Sequence, residues 1–150
     1  MEGSIQEREA EIIENFSLFD TWEEKYEYII DLGKKLAPLD DAYKVEENII
    51  KGCQSTVWLT ACVKDGRVFF KADSDAVIVK GLVSMLIELL SGQPPQEILD
   101  ARLDFMDRIG MMQHLAQTRS NGLLSMIRQM KSYALAFQSE EIKTNSDGNR

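Results

Sequence analysis

The chain has 150 residues, 44% of them hydrophobic, which is enough for one buried core and too little for a second domain to be expected. Its net charge of -8 sits at the front, where residues 1–50 carry 14 Asp and Glu against 5 Lys and Arg. This acidic surface, with no basic stripe elsewhere, argues against nucleic-acid binding and reads as a solvated face. The longest apolar-rich stretch, Ala76 to Leu90, is broken by Lys80 and Glu88 and is too short to span a bilayer.

In chain order, Ile5 to Phe19 has apolar residues at 5, 12, 13, 16 and 19, the spacing of an amphipathic helix. Thr21 and Glu24 form a capping box for a second helix with Trp22, Tyr26, Ile29, Gly33 and Leu36 on one face, ended by Pro38. A polar connector with Asp40 and Asp41 leads to a short extended segment over Val45 to Ile50, a loop at Gly52-Cys53, and a strand from about Ser55 to Val63. Asp65-Gly66 is a two-residue hairpin signal. The returning strand, Arg67 to Ala72, puts Val68 and Phe70 on one face and Phe69 on the other. Asp73-Ser74-Asp75 offers caps for a helix running to about Leu90, with Gly92 as its stop. Pro94-Pro95 starts a short helix through Leu99, and Leu103 to Ile109 predicts another turn or two before Gly110. A last helix begins near Thr118 or Arg119 and runs to Phe137, with Leu123, Ile127, Met130, Ala134 and Phe137 at helical spacing. Residues 138–150 are polar and expected to be disordered, which leaves 1–137 as the domain. Helices, then strands, then helices predict an α+β fold with a small antiparallel sheet of about three strands covered by helices.

The start Met1-Glu2-Gly3-Ser4 has neither the basic start nor the apolar segment of a secretory signal, so a cytoplasmic protein with free thiols at its two cysteines is expected. Cys53 stands out. Gly52 permits a tight turn before it, and Val57-Trp58-Leu59 predicts a strand soon after it, so the thiol lies at a loop. Nothing adjacent offers metal-ligand spacing, which leaves sulfur chemistry as the functional reading beside that of a small buried hydrophobe.

Four separated segments, WEEKYEYIIDLGKKL (Trp22 to Leu36), IKGCQSTVWL (Ile50 to Leu59), ADSDAVIVKGL (Ala72 to Leu82) and QHLAQTRSNGLLSMI (Gln113 to Ile127), together resemble the SufE family of cysteine-desulfuration proteins. The resemblance implies a fold shared with IscU-type scaffolds. It also implies a sulfur acceptor and activator for a pyridoxal-phosphate (PLP) cysteine desulfurase of the SufS or CsdA type, passing sulfur toward a scaffold such as a SufBCD-type complex. The family's acceptor cysteine maps onto Cys53, whose thiolate would take the outer sulfur of a desulfurase persulfide. No cofactor or metal of the chain's own is expected, PLP belonging to the desulfurase. An IscU-like cluster scaffold is the alternative, disfavoured because clusters normally recruit several thiolates.

Around Cys53, Lys51 favours the thiolate or is only a solvated loop charge, and Gln54 and Ser55 hydrogen-bond the loop or simply favour its formation. Asp75 and Arg119 match family signature positions. An acid such as Asp73 or Asp75 is a candidate to offset Arg119 at the start of its helix. Cys62 is read as a strand residue, and His114 as structural rather than as a base toward Cys53. Ile49, Ile50, Val57 and Trp58 flank the loop and are expected to cover Cys53 in a shallow apolar pocket.

Overall fold

The computed structural model describes residues 3–53, 55–115 and 117–148, and only the backbone at 112, 117–118 and 141–148. Helix α1 (Ile5–Ser17) is opened by the Ser4 hydroxyl, which accepts from Glu7 N–H, and α2 (Trp22–Lys34) by Thr21, which accepts from Glu24 N–H. A 3₁₀ turn, Asp41–Tyr43, lies in the connector, and a second, Glu46–Asn48, takes up the middle of the Val45 to Ile50 segment expected to be extended, where Ile49 makes an isolated bridge to Trp58. Strands β1 (Val57–Lys64) and β2 (Arg67–Ser74) form an antiparallel hairpin in the register Val57 to Ser74 through Lys64 to Arg67. Its two-residue loop puts Asp65 at φ 53° and Gly66 at φ 75°, the doubly left-handed turn that matches strand twist.

Among the described residues the sheet has two strands rather than about three. What would be its outer neighbours are single bridges, Ile49 to Trp58 on one edge and Val68 to Gln93 on the other. The chain before Cys53 curls into two turns, the first capped by Asp40, which accepts from Ala42 N–H, and so meets β1 at Ile49 without running along it as a strand.

Val57, Leu59, Val68, Phe70 and Ala72 are buried on the inner face of the hairpin, while Phe69 points outward. Helix α3 (Val77–Leu90) covers that face and is crossed by α2. Gly33 and Gly81 meet at the crossing: a Cβ on Gly81 would lie 2.0 Å from the Ile29 carbonyl oxygen. Arg8, buried on α1, donates to the carbonyls of Glu88, Leu89 and Ser91 at 3.0, 3.4 and 2.9 Å, satisfying acceptors that the end of α3 leaves open. Short helices α4 (Pro95–Asp100), α5 (Phe105–Arg108) and α6 (Met111–His114) lead into α7 (Gln117–Gly148). The α7 backbone continues past Phe137, where disorder was expected. Ser139 to Lys143 contains no glycine or proline, and Gln138 donates to the Gln96 side chain at 2.7 Å.

The N-cap of α3 is Ala76, whose own side chain makes no cap bond, and of Asp73, Ser74 and Asp75 it is Ser74 that reaches the helix start, its Oγ accepting from Ala76 N–H at 3.3 Å. The run also fastens the hairpin. Ser74 Oγ donates to Thr56 O at 2.9 Å, and Asp75 Oδ1 accepts from Thr56 N–H at 3.1 Å. Asp73 lies within 3.4 Å of Lys44 Nζ and 3.3 Å of Lys80 Nζ, so its partners are these lysines and not Arg119.

Candidate functional site

The loop that carries Cys53 is closed at its base by Ile50 N–H donating to Val57 O at 2.9 Å and by the two bonds that hold Thr56 to the end of β2. At its tip Gly52 adopts φ +90°, a conformation that L side chains rarely adopt, and this turn presses the following residue against α7. Cys53 is half-buried, and its Sγ lies 3.6 Å from the Gly122 carbonyl oxygen, to which the thiol donates. A cavity of about 30 Å³ adjoins the sulfur. Its walls come from both flanking helices: Val79, Leu82 and Val83 of α3, and Gly122, Leu123 and Met126 of α7, with Ser55, Val57 and Arg119 completing the lining.

Burial pushes the Cys53 thiol above its ordinary value. Desolvation disfavours the charged form, so the resting protein holds a protonated sulfur that is a poor nucleophile. Lys51 is exposed on the turn and does not reverse this. Arg119, also exposed, stands at the cavity and is the cationic side chain among its lining residues.

The expected site residues thus fall into three groups. Cys53, Ser55 and Arg119 come together at one cavity, and Gly52 shapes the turn beside it. Asp75 acts at one remove, holding Thr56 at the loop base, and Lys51 projects into solvent. Gln54 lies outside the described residues. The apolar cover differs from expectation: Val57 contributes, but Ile49, Ile50 and Trp58 are not among the lining residues. Ile50 is instead buried in the core, and Trp58 lies under the Lys44 ammonium at 5.5 Å. The α3 and α7 side chains that replace them gave only a helical burial pattern in the sequence. Gly122, inside a helical pattern, was the available signal of a close approach.

His114 is exposed and stacks on Trp22 with ring centroids 3.9 Å apart, while Tyr26 donates to its carbonyl, so it belongs to the contact between α2 and α6 and not to the cavity. Cys62 is exposed on β1, paired with Phe69. No helix among the described residues is long and apolar enough to cross a membrane, and no cluster of three or more His, Cys, Asp or Glu suited to a metal occurs among them.

The family model SufE, the Fe-S metabolism associated domain, matches residues 10–134. An uncharacterized SufE-like protein of Rhizobium meliloti (strain 1021) is 42% identical over 130 residues, covering 83% of this chain and 92% of the relative. One from Synechocystis is 39% identical over 129 residues, covering 86% and 81%. The solution structure of a hypothetical protein from Thermus thermophilus has the same fold, with a TM-score of 0.74 at 20% identity over 88% of this chain and 96% of that one. With most of its length matched by the domain model and by both relatives, the chain belongs to the SufE family, whose domain is associated with Fe-S metabolism.

Proposed function

We propose that this protein accepts sulfur as a persulfide on Cys53 from a PLP-dependent cysteine desulfurase of the SufS or CsdA type, raises that enzyme's turnover, and carries the sulfur toward a cluster-assembly scaffold such as a SufBCD-type complex. The observation that carries the reading is the position of Cys53: a thiol on a tight turn, half-buried beside a small apolar cavity. Carbon–sulfur cleavage belongs to the partner's PLP. In the transfer the Cys53 thiolate attacks the outer sulfur of the desulfurase persulfide, the bond between the partner's two sulfurs breaks, and the partner's cysteine leaves as a thiolate. A new sulfur–sulfur bond then sits on Cys53, with no net oxidation and no cofactor of this chain required.

The cavity suits the product. Its volume of about 30 Å³ exceeds what one water-sized atom needs, so it can receive one further sulfur beside Sγ. A carrier whose outer sulfur stood in solvent would lose it to any cellular thiol. The same burial that protects the product disfavours the attacking thiolate, so the loop has to swing outward when the desulfurase docks. Arg119 at the cavity is placed to favour the anion as burial is relieved. A cluster scaffold is the weaker reading: the chain has two cysteines, fewer than the several thiolates that cluster ligation normally uses.

The test is turnover. Alanine released from cysteine by such a desulfurase should rise when the wild-type protein is added and stay at its basal rate with Cys53→Ala. A wild-type protein that leaves the rate unchanged, or a Cys53→Ala variant that stimulates as well as wild type, would sink the proposal.

A further inference from the structure

Gly122 lies inside α7, where a glycine is less favourable than alanine. Its cause is outside its own helix. A methyl group at Gly122 would meet Cys53 Sγ at 3.1 Å, tighter than side chains ordinarily pack, and would touch Cys53 Cα at 3.4 Å and Cβ at 3.5 Å, so that the sulfur would have to give by a few tenths of an ångström. Three residues on along the same face, Ser125 makes a second contact: a Cβ on Gly52 would lie 2.9 Å from its Oγ. The loop is therefore seated on α7 at two points, each made possible by an absent side chain. The Gly122 carbonyl adds a polar element, accepting from the Cys53 thiol at 3.6 Å. A thiolate has no proton to donate there and would face the carbonyl's lone pairs.

We propose that Gly122 is a positioning residue for the acceptor cysteine: by lacking a side chain and by offering its carbonyl to the S–H, it seats Cys53 in the closed position and sets how readily the loop opens. The inference rests on Cys53 being the sulfur acceptor, but its physical content is loop opening, which is measurable with no desulfurase present. Crowding at this seat is relieved by the loop and not by the helix. Leu123, Met126 and Met130 of α7 are buried in the core, whereas among the described residues the backbone bonds that fasten the loop lie at its base, with the Cys53 thiol to Gly122 O contact as its tie to the helix. A side chain at the seat thus opens the loop and leaves the fold in place.

The experiment measures iodoacetamide labelling of Cys53 by peptide mass in the full chain, for wild type, Gly122→Ala, Ser125→Val and Leu124→Ala, with unfolding midpoints recorded alongside. Gly122→Ala and Ser125→Val should label roughly tenfold faster than wild type, the scale on which one extra methyl in a packed contact shifts an equilibrium. Their midpoints should be little changed. Leu124→Ala, on the outward face of the same helix, should label at the wild-type rate. The proposal is overturned if both crowded variants label at the wild-type rate while folded, or if their labelling rises only in proportion to a loss of global stability. Should Gly122→Ala fail to fold, Ser125→Val decides. Sulfur uptake from a desulfurase, measured on the same wild-type protein, separates the two ideas. Faster labelling of the variants without wild-type uptake keeps the seat and ends the carrier reading, and uptake with unchanged labelling does the reverse.

Discussion

The crossing of α2 and α3 holds one wall of the cavity in place, and Gly81→Ala tests it. A Cβ at Gly81 would lie 2.0 Å from Ile29 O, 2.6 Å from Ile29 Cγ2 and 2.7 Å from Ile29 C. Two of these three atoms are backbone, so a rotamer change cannot relieve the clash and the helices must move apart. Alanine gains about 0.5–1 kcal/mol over glycine within a helix. Overpacking costs about 1–3 kcal/mol, and a clash with backbone belongs at the upper end. The net loss is therefore about 2 kcal/mol, which for a chain of this length lowers Tm by about 4–8 °C. Because Leu82 and Val83 follow Gly81 directly and line the Cys53 cavity, Cys53 should also alkylate faster. Thermal unfolding by circular dichroism and labelling kinetics read the two effects. A Gly81→Ala protein at least as stable as wild type, with wild-type labelling, would refute the claim that this close crossing positions the site.

Cys62→Ser should retain sulfur uptake and desulfurase stimulation, since Cys62 sits on β1 outside the cavity; loss of transfer in a folded variant would show a second participating thiol. Burial raises Cys53 in the folded state, so its contribution to stability is present below the unfolded thiol value of about 8.5 and is lost as pH rises through the folded value. Denaturant midpoints taken from neutral to alkaline pH should fall more steeply for wild type than for Cys53→Ala, and parallel curves would contradict the burial argument. For Asp73, burial alone would push the carboxyl up, but the Ser74 N–H and the Lys80 and Lys44 ammoniums outweigh it and hold the group below its ordinary value. Its contribution is present above about pH 4 and lost as pH falls through the lower folded value. Asp73→Asn should cost about 2 kcal/mol at neutral pH, and an unchanged midpoint in urea would mean that the two lysines find equal partners in water.

Local signals were legible where the physics is local. Thr21 with Glu24, Asp65-Gly66, Gly92 and the alternation of Val68, Phe69 and Phe70 each specify a cap, a turn, a stop or a face within a few residues, and each appears as read. The Gly52-Cys53 loop was legible for the same reason. The cavity walls were not, because helical spacing at Leu82 or Met126 says that a side chain is buried without saying against what. Asp73-Ser74-Asp75 was half legible: Ser74 accepts from Ala76 N–H at the start of α3 as a capping run should, but the partners of Asp73 and Asp75, Lys44, Lys80 and Thr56, come from elsewhere in the chain. The third strand failed likewise. Val45 to Ile50 has apolar residues suited to a strand, yet the backbone turns at Glu46–Asn48, where Asn48 donates to Tyr43 O at 2.7 Å.

The central claim is that Cys53 is the atom on which sulfur travels. Incubating the protein with a SufS- or CsdA-type desulfurase and cysteine, then weighing it intact and mapping the modified peptide, measures this directly. The account predicts a gain of one sulfur atom on the wild-type chain, located at Cys53 and absent from Cys53→Ala. Sulfur found on Cys62, or a Cys53→Ala protein that gains the same mass, would contradict it.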